Sequence, residues 1–419
     1  MGSICFPLNR PRIDNHPTQP NERGLSYQIS VYTLTLMSSP KHTAATLNRR
    51  AWLRRAGLGG ALGLLGAAPG LRAAESFLSV PTAAPLVDGP IQLNANENPY
   101  GPSPKVRAAI QAAFDKFCRY PFRYSQTLQA RLADELGVGA EQIVITGGST
   151  EGLKLTGLTY GLHGGEVIAA DPTFQSLLTY AELVGAYVHR VPVTEDLQHD
   201  LTAMTRRITS ATRLIFLCNP NNPTGRLIDA TSQRAFTLAA EDQAVVFIDE
   251  AYIDYVEDKD YVSGVELVKE GRNVIVSRTF SKIHGLAGMR IGYLVARPDI
   301  AERLRAHVMA FTSVPALVAA HAALDDEDFY RESVARNLEA KDHLYRAFDR
   351  MGLSYQRSHT NFVFFHTGRD ISSLNAAMRE QGVLVGRPFP PLNDWCRIST
   401  GTMAEMEVFV DRLEKVMMG

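Results

Sequence analysis

The sequence predicts an α/β protein, built on a mainly parallel sheet covered by helices and followed by a smaller α+β domain. Three observations carry this. Short β-branched or aliphatic runs (Ile143-Val144-Ile145-Thr146, Val167-Ile168-Ala169-Ala170, Leu214-Ile215-Phe216-Leu217, Val245-Val246-Phe247-Ile248 and Val274-Ile275-Val276) alternate with helical patterns. Their near-continuous apolar character is that of strands buried on both faces. Each run also ends in a cluster of Gly, Asn, Asp, Ser or Thr, and ligands of such sheets bind beyond the carboxyl ends of the strands. Finally, three strand-like runs lie nearer the carboxyl end: Asn361-Phe362-Val363-Phe364-Phe365, Val383-Leu384-Val385 and Cys396-Arg397-Ile398-Ser399. With the helices between them they read as a second, smaller layer.

At 419 residues the chain is too long for one small core. Its 45% hydrophobic and 21% charged residues and its net charge of −1 are those of an ordinary globular protein. No long basic run gives it the footprint of a nucleic-acid binder. Cys5, Cys118, Cys218 and Cys396 lack paired spacing, so neither a zinc site nor a disulfide framework is expected, and they are read as core thiols.

Residues 1–74 differ from the rest. Arg49-Arg50-Ala51-Trp52-Leu53, a glycine-rich apolar run over residues 56–68, and then Pro69 and Arg72 resemble a twin-arginine export signal, with small residues near Ala73-Ala74 as the cleavage region. The apolar run is shorter than the ~20 residues that span a bilayer. The stretch before Arg49 is long for a signal, which makes Met37 a candidate initiator. Periplasmic export is the expectation, and a cytoplasmic location is the alternative.

From Glu75 the chain is Pro- and Ala-rich to about Pro90, an irregular arm. Asn94-Ala95-Asn96-Glu97-Asn98-Pro99-Tyr100-Gly101-Pro102 is too dense in turn formers to be anything but a loop. Apolar spacing predicts a helix over residues 105–117, an interruption at Tyr120-Pro121, and a helix over residues 125–136. Helical patterns also cover about residues 303–323 and 332–351. Residues 75–117 are assigned to the arm and part of the small domain, 118–310 to the large domain and 311–419 to the small one.

The residues between two of these runs, Arg278-Thr279-Phe280-Ser281-Lys282 to Arg290, place a lone lysine among hydroxyls, glycines and an arginine. A buried lysine has its pKa pushed down, which frees the amine to act as a nucleophile or base. The alternative is a solvated turn. Gly147-Gly148-Ser149-Thr150, after a strand and before a helix, presents backbone N–H groups and a helix dipole to an anion, or simply closes a turn. Asp249 ends a strand three residues before Tyr252. A carboxylate there can keep a pyridine nitrogen protonated, and it can equally be a helix N-cap. The two prolines of Asn219-Pro220-Asn221-Asn222-Pro223-Thr224-Gly225 stiffen a loop able to aim the Asn222 amide. Thr279, Ser281 and Arg290 suit a phosphate, and Arg397 suits a carboxylate.

Taken together and in this order, the motifs from Asn94 to Gly401 resemble those of the fold-type I pyridoxal-phosphate aminotransferases, with the histidinol-phosphate aminotransferase branch nearest. The resemblance implies a pyridoxal-phosphate-binding large domain with a sheet of the seven-stranded type and a transaminase working by a ping-pong mechanism. It further implies that Lys282 binds the cofactor aldehyde and shuttles the proton, and that Asp249 faces the pyridine nitrogen. Asn222 and Tyr252 would face the ring oxygen, and Phe174 the ring face. Ser149, Thr150, Thr279, Ser281 and Arg290 would hold the phosphate, joined by Tyr120 from a partner subunit in a homodimer with shared sites. Arg397, Asn98 and Arg387 are the substrate-binding candidates.

Two departures bear on the substrate. The arm reads Val80-Pro81-Thr82-Ala83-Ala84-Pro85 where the histidinol-phosphate branch carries a tyrosine-containing segment. In Val385-Gly386-Arg387-Pro388-Phe389 the arginine stands one place from its position in that branch. These departures favour an aromatic or bulky amino acid with a 2-oxo acid as partner, and histidinol phosphate is the alternative. A lyase or decarboxylase on the same fold needs the same groups, and a non-catalytic binding protein would not need Lys282 and Asp249 together.

Overall fold

The computed structural model describes residues 89–418. The leader with Arg49 and Arg50, the candidate initiator Met37, Cys5 and the departing arm segment at residues 80–85 lie outside the described residues.

Strand β1 (Ile91–Gln92) is followed by helix α1 (Pro104–Ala112) and α2 (Phe122–Leu136). The core is then laid down as β2 (Ile143–Thr146), α3 (Ser149–Gly161), β3 (Glu166–Asp171), α4 (Ser176–Leu183), β4 (Tyr187–Pro192), α5 (Leu201–Thr205), β5 (Thr212–Cys218), α6 (Ala230–Ala240), β6 (Val245–Asp249), α7 (Val265–Lys269), β7 (Val274–Thr279) and β8 (Gly292–Ala296). These strands form one seven-stranded sheet in the order β2-β8-β7-β6-β5-β3-β4. Every pairing is parallel except those of β8 with β2 and with β7, so the sheet is mainly parallel, as expected. Successive strand residues enter opposite cores. Ile215, Leu217, Val246, Ile248 and Val276 join one cluster, while Leu214, Phe216, Phe247 and Ile275 join the other. A sheet buried on both faces leaves no polar alternation, and this is why its strands read as unbroken apolar runs.

The chain continues through α8 (Pro298–Arg305), α9 (Val314–Leu324) and the long α10 (Glu327–Met351), capped by the Asp326 side chain and ended by Gly352 at φ 68°. The continuous helical pattern expected over residues 303–323 is in fact two helices with an irregular segment between them. Pro315 sits in the first turn of α9, where its missing N–H costs nothing. The helix expected over residues 105–117 likewise stops at Ala112 and yields to a short 3₁₀ turn. Strands β9 (Tyr355–Gln356), β10 (Phe362–His366), β11 (Val383–Leu384) and β12 (Trp395–Ser399), with α11 (Ile371–Glu380) and α12 (Met403–Met418), complete the order. A small antiparallel sheet runs β12-β10-β9, and β11 pairs in parallel with β1. A separate core of Phe348, Phe365, Met378, Ile398 and Phe409 fills this part. Val385 lies outside β11, which is two residues long.

The pairing of β1 with β11 positions the site. Leu93 donates to the Leu384 carbonyl, and the Ser399 amide donates to the Leu93 carbonyl. The turn-rich loop that follows is thereby pinned between the two sheets, facing the carboxyl ends of β2, β3, β5, β6 and β7. No described helix is long and apolar enough to cross a membrane. Of the cysteines, Cys218 and Cys396 are buried, whereas Cys118 is exposed and is not a core thiol.

Candidate active site

A cleft of about 810 Å³ opens over those strand ends. Ser149, Thr150, Phe174, Asn222, Asp249, Tyr252, Ser281, Lys282, Arg290, Arg387 and Arg397 all line it, so nearly every residue singled out from the sequence converges there.

The floor is charged and dry. Asp249 ends β6 at 2% exposure, and its Oδ1 has no hydrogen-bond partner among the described residues. Burial drives its carboxyl up to about 7, against the opposing pull of Ser277, the Ala251 amide and Lys282. Lys282 is half-buried, with its amine facing the cleft and donating to the Asn96 carbonyl at 2.9 Å. Burial first, and then the cationic Arg397, bring its pKa down to about 8. The amine therefore holds an appreciable neutral fraction near pH 7, as a nucleophile needs.

Tyr252 is held in a network that spans both sheets. Its hydroxyl accepts from Asn96 Nδ2 at 2.9 Å and from Asn222 Nδ2 at 3.3 Å. Arg397 donates to Asn222 Oδ1 at 2.7 Å and to the Asn94 carbonyl at 2.7 Å. Burial raises the Tyr252 phenol well above its usual value, so it stays a neutral donor.

One end of the cleft is an anion cup. Ser149 and Thr150 open α3, whose first N–H groups and dipole point outward. Arg290, in the left-handed region at φ 56°, sets its guanidinium against Thr150 Oγ1 at 3.4 Å and Ser281 Oγ at 3.5 Å. Gly148 is required here by its backbone, whose φ of 83° and ψ of 161° lie in a region that residues with a Cβ avoid. Thr279 stands behind this cup rather than in it, its hydroxyl donating to Ser281 Oγ at 2.9 Å.

Asn98 corrects the sequence reading. Its amide is spent on the Ile283 carbonyl and on Ser333 Oγ, and its Oδ1 accepts from the Tyr100 amide, so it braces the loop outside the cleft. The residue that does face the site is Asn96, 1% exposed and in the left-handed region at φ 55°. Its carbonyl takes Lys282, its Nδ2 takes Tyr252, and its Oδ1 accepts from Ser399 Oγ. The sequence marked Asn96 only as part of a loop, although asparagine is among the few non-glycine residues enriched in that backbone region. Asn94, Glu97, Cys218 and Arg379 also line the cleft without having been singled out. Tyr120 is remote from the floor and 79% exposed, stacked on Phe122.

The arrangement fits pyridoxal phosphate. The orphaned, buried Asp249 oxygen awaits a protonated ring nitrogen, the depressed Lys282 amine suits an aldehyde, and the Gly148–Arg290 cradle suits a phosphate. Bound there, the cofactor supplies a conjugated, electron-withdrawing ring that accepts the electron pair left when a bond to the amino carbon breaks. Around it, Lys282 can hold or move a proton at Nζ, and Asn222 and Tyr252 can donate hydrogen bonds. Fold and site together define a fold-type I pyridoxal-phosphate enzyme.

Residues 88–413 match the family model of aminotransferase class I and II, and the chain belongs to that family. It is 40% identical over 331 residues to a histidinol-phosphate aminotransferase of Moorella thermoacetica, covering 78% of this chain and 85% of that one. It is 38% identical over 332 residues to histidinol-phosphate aminotransferase 2 of Hydrogenovibrio crunogenus, covering 78% and 88%. A crystal structure of histidinol-phosphate aminotransferase from Sinorhizobium meliloti in complex with pyridoxal-5'-phosphate superposes at a TM-score of 0.73 with 30% identity, over 78% of this chain and 91% of that one. At 22% identity and a TM-score of 0.68, L-threonine-O-3-phosphate decarboxylase from Porphyromonas gingivalis shares the fold, over 78% of this chain and all of that one. The protein is a pyridoxal-phosphate-dependent transaminase.

Proposed function

We propose that the donor substrate is histidinol phosphate, or a phosphorylated amine closely like it, with a 2-oxo acid as acceptor. Relatives at 34–40% identity carry the histidinol-phosphate name, and this supports the reading over the aromatic or bulky amino acid that the arm and Arg387 favour in sequence. The observation that carries it is the cationic cleft, in which Arg387 and Arg397 have no carboxylate partner among the described residues. An apolar edge of Val385, Pro388 and Phe389 keeps the bulky amino acid as the second reading.

In this reading Lys282 would hold the cofactor through its aldehyde, and its Nζ would hold or move a proton near the amino carbon. Asp249 holds the ring nitrogen protonated. Tyr252 and Asn222 orient the ring oxygen, and Phe174 covers the ring face. Ser149, Thr150, Ser281 and Arg290 hold the phosphate, with Thr279 orienting Ser281. Arg397 receives an anionic end of the substrate. Single-turnover mixing of the holoenzyme with histidinol phosphate, histidinol and aromatic amino acids tests it. Conversion to the pyridoxamine form fastest with histidinol phosphate is expected, whereas release of CO₂, or preference for an aromatic amino acid, overturns it.

The exposed ring group of Tyr120, Phe122 and Phe311 supports a homodimer in which Tyr120 reaches its partner's cofactor phosphate. A monomer in sedimentation at micromolar concentration refutes this. The Arg49-Arg50 segment supports export through a twin-arginine route to the periplasm, a route suited to an enzyme that folds around its cofactor first. Lysine at both positions should abolish export, and unchanged export excludes the route.

A further inference from the structure

Hydrogen bonds have directions, and around Tyr252 those directions are forced one after another. Arg397 and Ser399 stand two residues apart on β12, so their side chains leave the strand on the same face. Ser399 is 2% exposed, and its Oγ accepts from the Asn96 backbone N–H at 2.8 Å. The hydroxyl proton then goes to Asn96 Oδ1 at 2.9 Å. With Oδ1 taken by a donor, Asn96 must turn its NH₂ end to the Tyr252 hydroxyl, 2.9 Å away. A second route starts from Arg397, which has only donors to offer. Its Nη1 takes Asn222 Oδ1 at 2.7 Å, so the NH₂ end of Asn222 also faces the Tyr252 hydroxyl, at 3.3 Å.

The Tyr252 oxygen therefore receives two hydrogen bonds, which fill both of its lone pairs. Burial keeps the phenol from ionising, so its single proton stays in place. That proton meets no acceptor among the described residues, and Tyr252 lines the cleft. A buried donor left unpaired is costly, and the one outlet is an acceptor brought into the cleft. The backbone of Asn96 is held independently of its side chain. Its carbonyl accepts from Lys282 Nζ at 2.9 Å and from Asn361 Nδ2 at 3.0 Å.

We propose that Ser399 and Asn96 are positioning residues: the Ser399 hydroxyl locks the Asn96 amide, so that Tyr252 can donate only into the cleft. The lock rests on the reading of Tyr252 as the group that orients the ring oxygen of the bound cofactor. Strand β12 then acts on Tyr252 by two routes, Arg397 through Asn222 and Ser399 through Asn96.

The test follows the absorbance of substrate-free holoenzyme against pH. Its midpoint reports the proton that Lys282 Nζ holds against the ring oxygen. A donor to that oxygen weakens its hold on the proton, so losing the Tyr252 donation should raise the midpoint. Tyr252→Phe should raise it by about one pH unit, roughly the worth of one hydrogen bond. Asn96→Gly keeps the left-handed backbone and its carbonyl, and should raise it by about half a unit or more. Ser399→Ala frees the amide to turn its Oδ1 toward Tyr252 and draw the proton away, so a similar rise is expected. The double variant should shift no further than Asn96→Gly alone, because Ser399 acts through Asn96. Ser399→Thr keeps a hydroxyl and should stay at the wild-type midpoint. The charges facing Lys282 (Arg397, Glu97, Asp249 and Arg290) are the same in every variant and add nothing to the shift.

Melting temperatures show which variants fold, and Asn96→Gly and Ser399→Ala break the lock at different links, so either one suffices. A midpoint that moves in Tyr252→Phe but in neither of them overturns the lock and leaves the Tyr252 reading standing. Additive shifts in the double variant, or a Ser399→Thr shift as large as that of Ser399→Ala, also overturn it. A midpoint that Tyr252→Phe leaves unmoved overturns the Tyr252 reading, and the lock with it.

Discussion

The floor of the cleft and its mouth are built by opposite rules. On the floor Asp249, Tyr252, Asn222 and Asn96 are each at least 95% buried, and the Tyr252 hydroxyl is bonded to both asparagines. At the mouth Arg379 and Arg387 are exposed and short of partners. A buried, organised floor costs nothing to reorganise at the moment of reaction and suits chemistry common to every substrate. A mouth of unpaired charge is left to be completed by whichever substrate matches it. The difference teaches where to look for each property: mutations on the floor should change the chemistry, and mutations at the mouth should change the choice of substrate.

The largest expected effect is on the floor. Lys282→Ala should cut kcat by about 10²–10⁴-fold for every substrate alike, the range for a lost general acid–base, and should abolish the covalently bound cofactor band. A loss confined to one substrate would break the division between floor and mouth. The next lies in stability. Asp249 rises from 3.8 to about 7 in the folded protein. Between those values the native apoprotein holds a proton that the unfolded chain has released, so its stability falls as pH rises from about 4 to 7, by up to about 1.4 kcal/mol per pH unit. Denaturant titrations of the apoprotein should show that fall, and Asp249→Asn should flatten it. An equal slope in the variant removes Asp249 as its source.

Arg397 belongs to both regions, since it is buried like the floor yet open to substrate. Arg397→Ala should cost about 2–4 kcal/mol in kcat/KM for anionic donors, because a buried charge partner is lost. It should also disturb Tyr252 through Asn222, so kcat should drop as well as KM rise. A change in KM alone would assign Arg397 wholly to the mouth. The smallest effect lies away from both. Lys341, 1% exposed, donates to the Ser358 carbonyl and pairs with the half-solvated Glu257 at 2.6 Å. Lys341→Met keeps most of its volume and leaves Glu257 in water, so a loss of about 1 kcal/mol is expected in denaturant titration. A far larger loss, or one that alters substrate preference, would show that this pair holds the mouth in place.

Most of the floor was legible in the sequence because each group sits at the end of an apolar run. Asp249 ends β6, Lys282 follows β7, and Ser149 opens the helix after β2, so chain order alone puts them on one edge of the sheet. The loop of residues 94–98 was legible as a loop but not in its detail. Which of Asn94, Asn96 and Asn98 faces the site depends on one left-handed residue and on the β1–β11 pairing, and the wrong asparagine was chosen. Cys218 read as an inert core thiol. It is buried, and yet it lines the cleft, because the last residue of β5 belongs to the core and to the strand end at once.

The sequence by itself determined the layers, most of the alternation of strands and helices, and the chemistry of the floor, because these follow from local periodicity and from residues placed at strand ends. Only the tertiary structure decided that Asn96 rather than Asn98 meets Lys282, that Thr279 stands behind Ser281, and that Arg379 shares the mouth with Arg387. Those outcomes turn on contacts between segments as much as about 300 residues apart in the chain, such as Asn96 with Ser399. Side-chain direction in a loop is set by a few backbone angles and by what packs against them, and no local pattern records either.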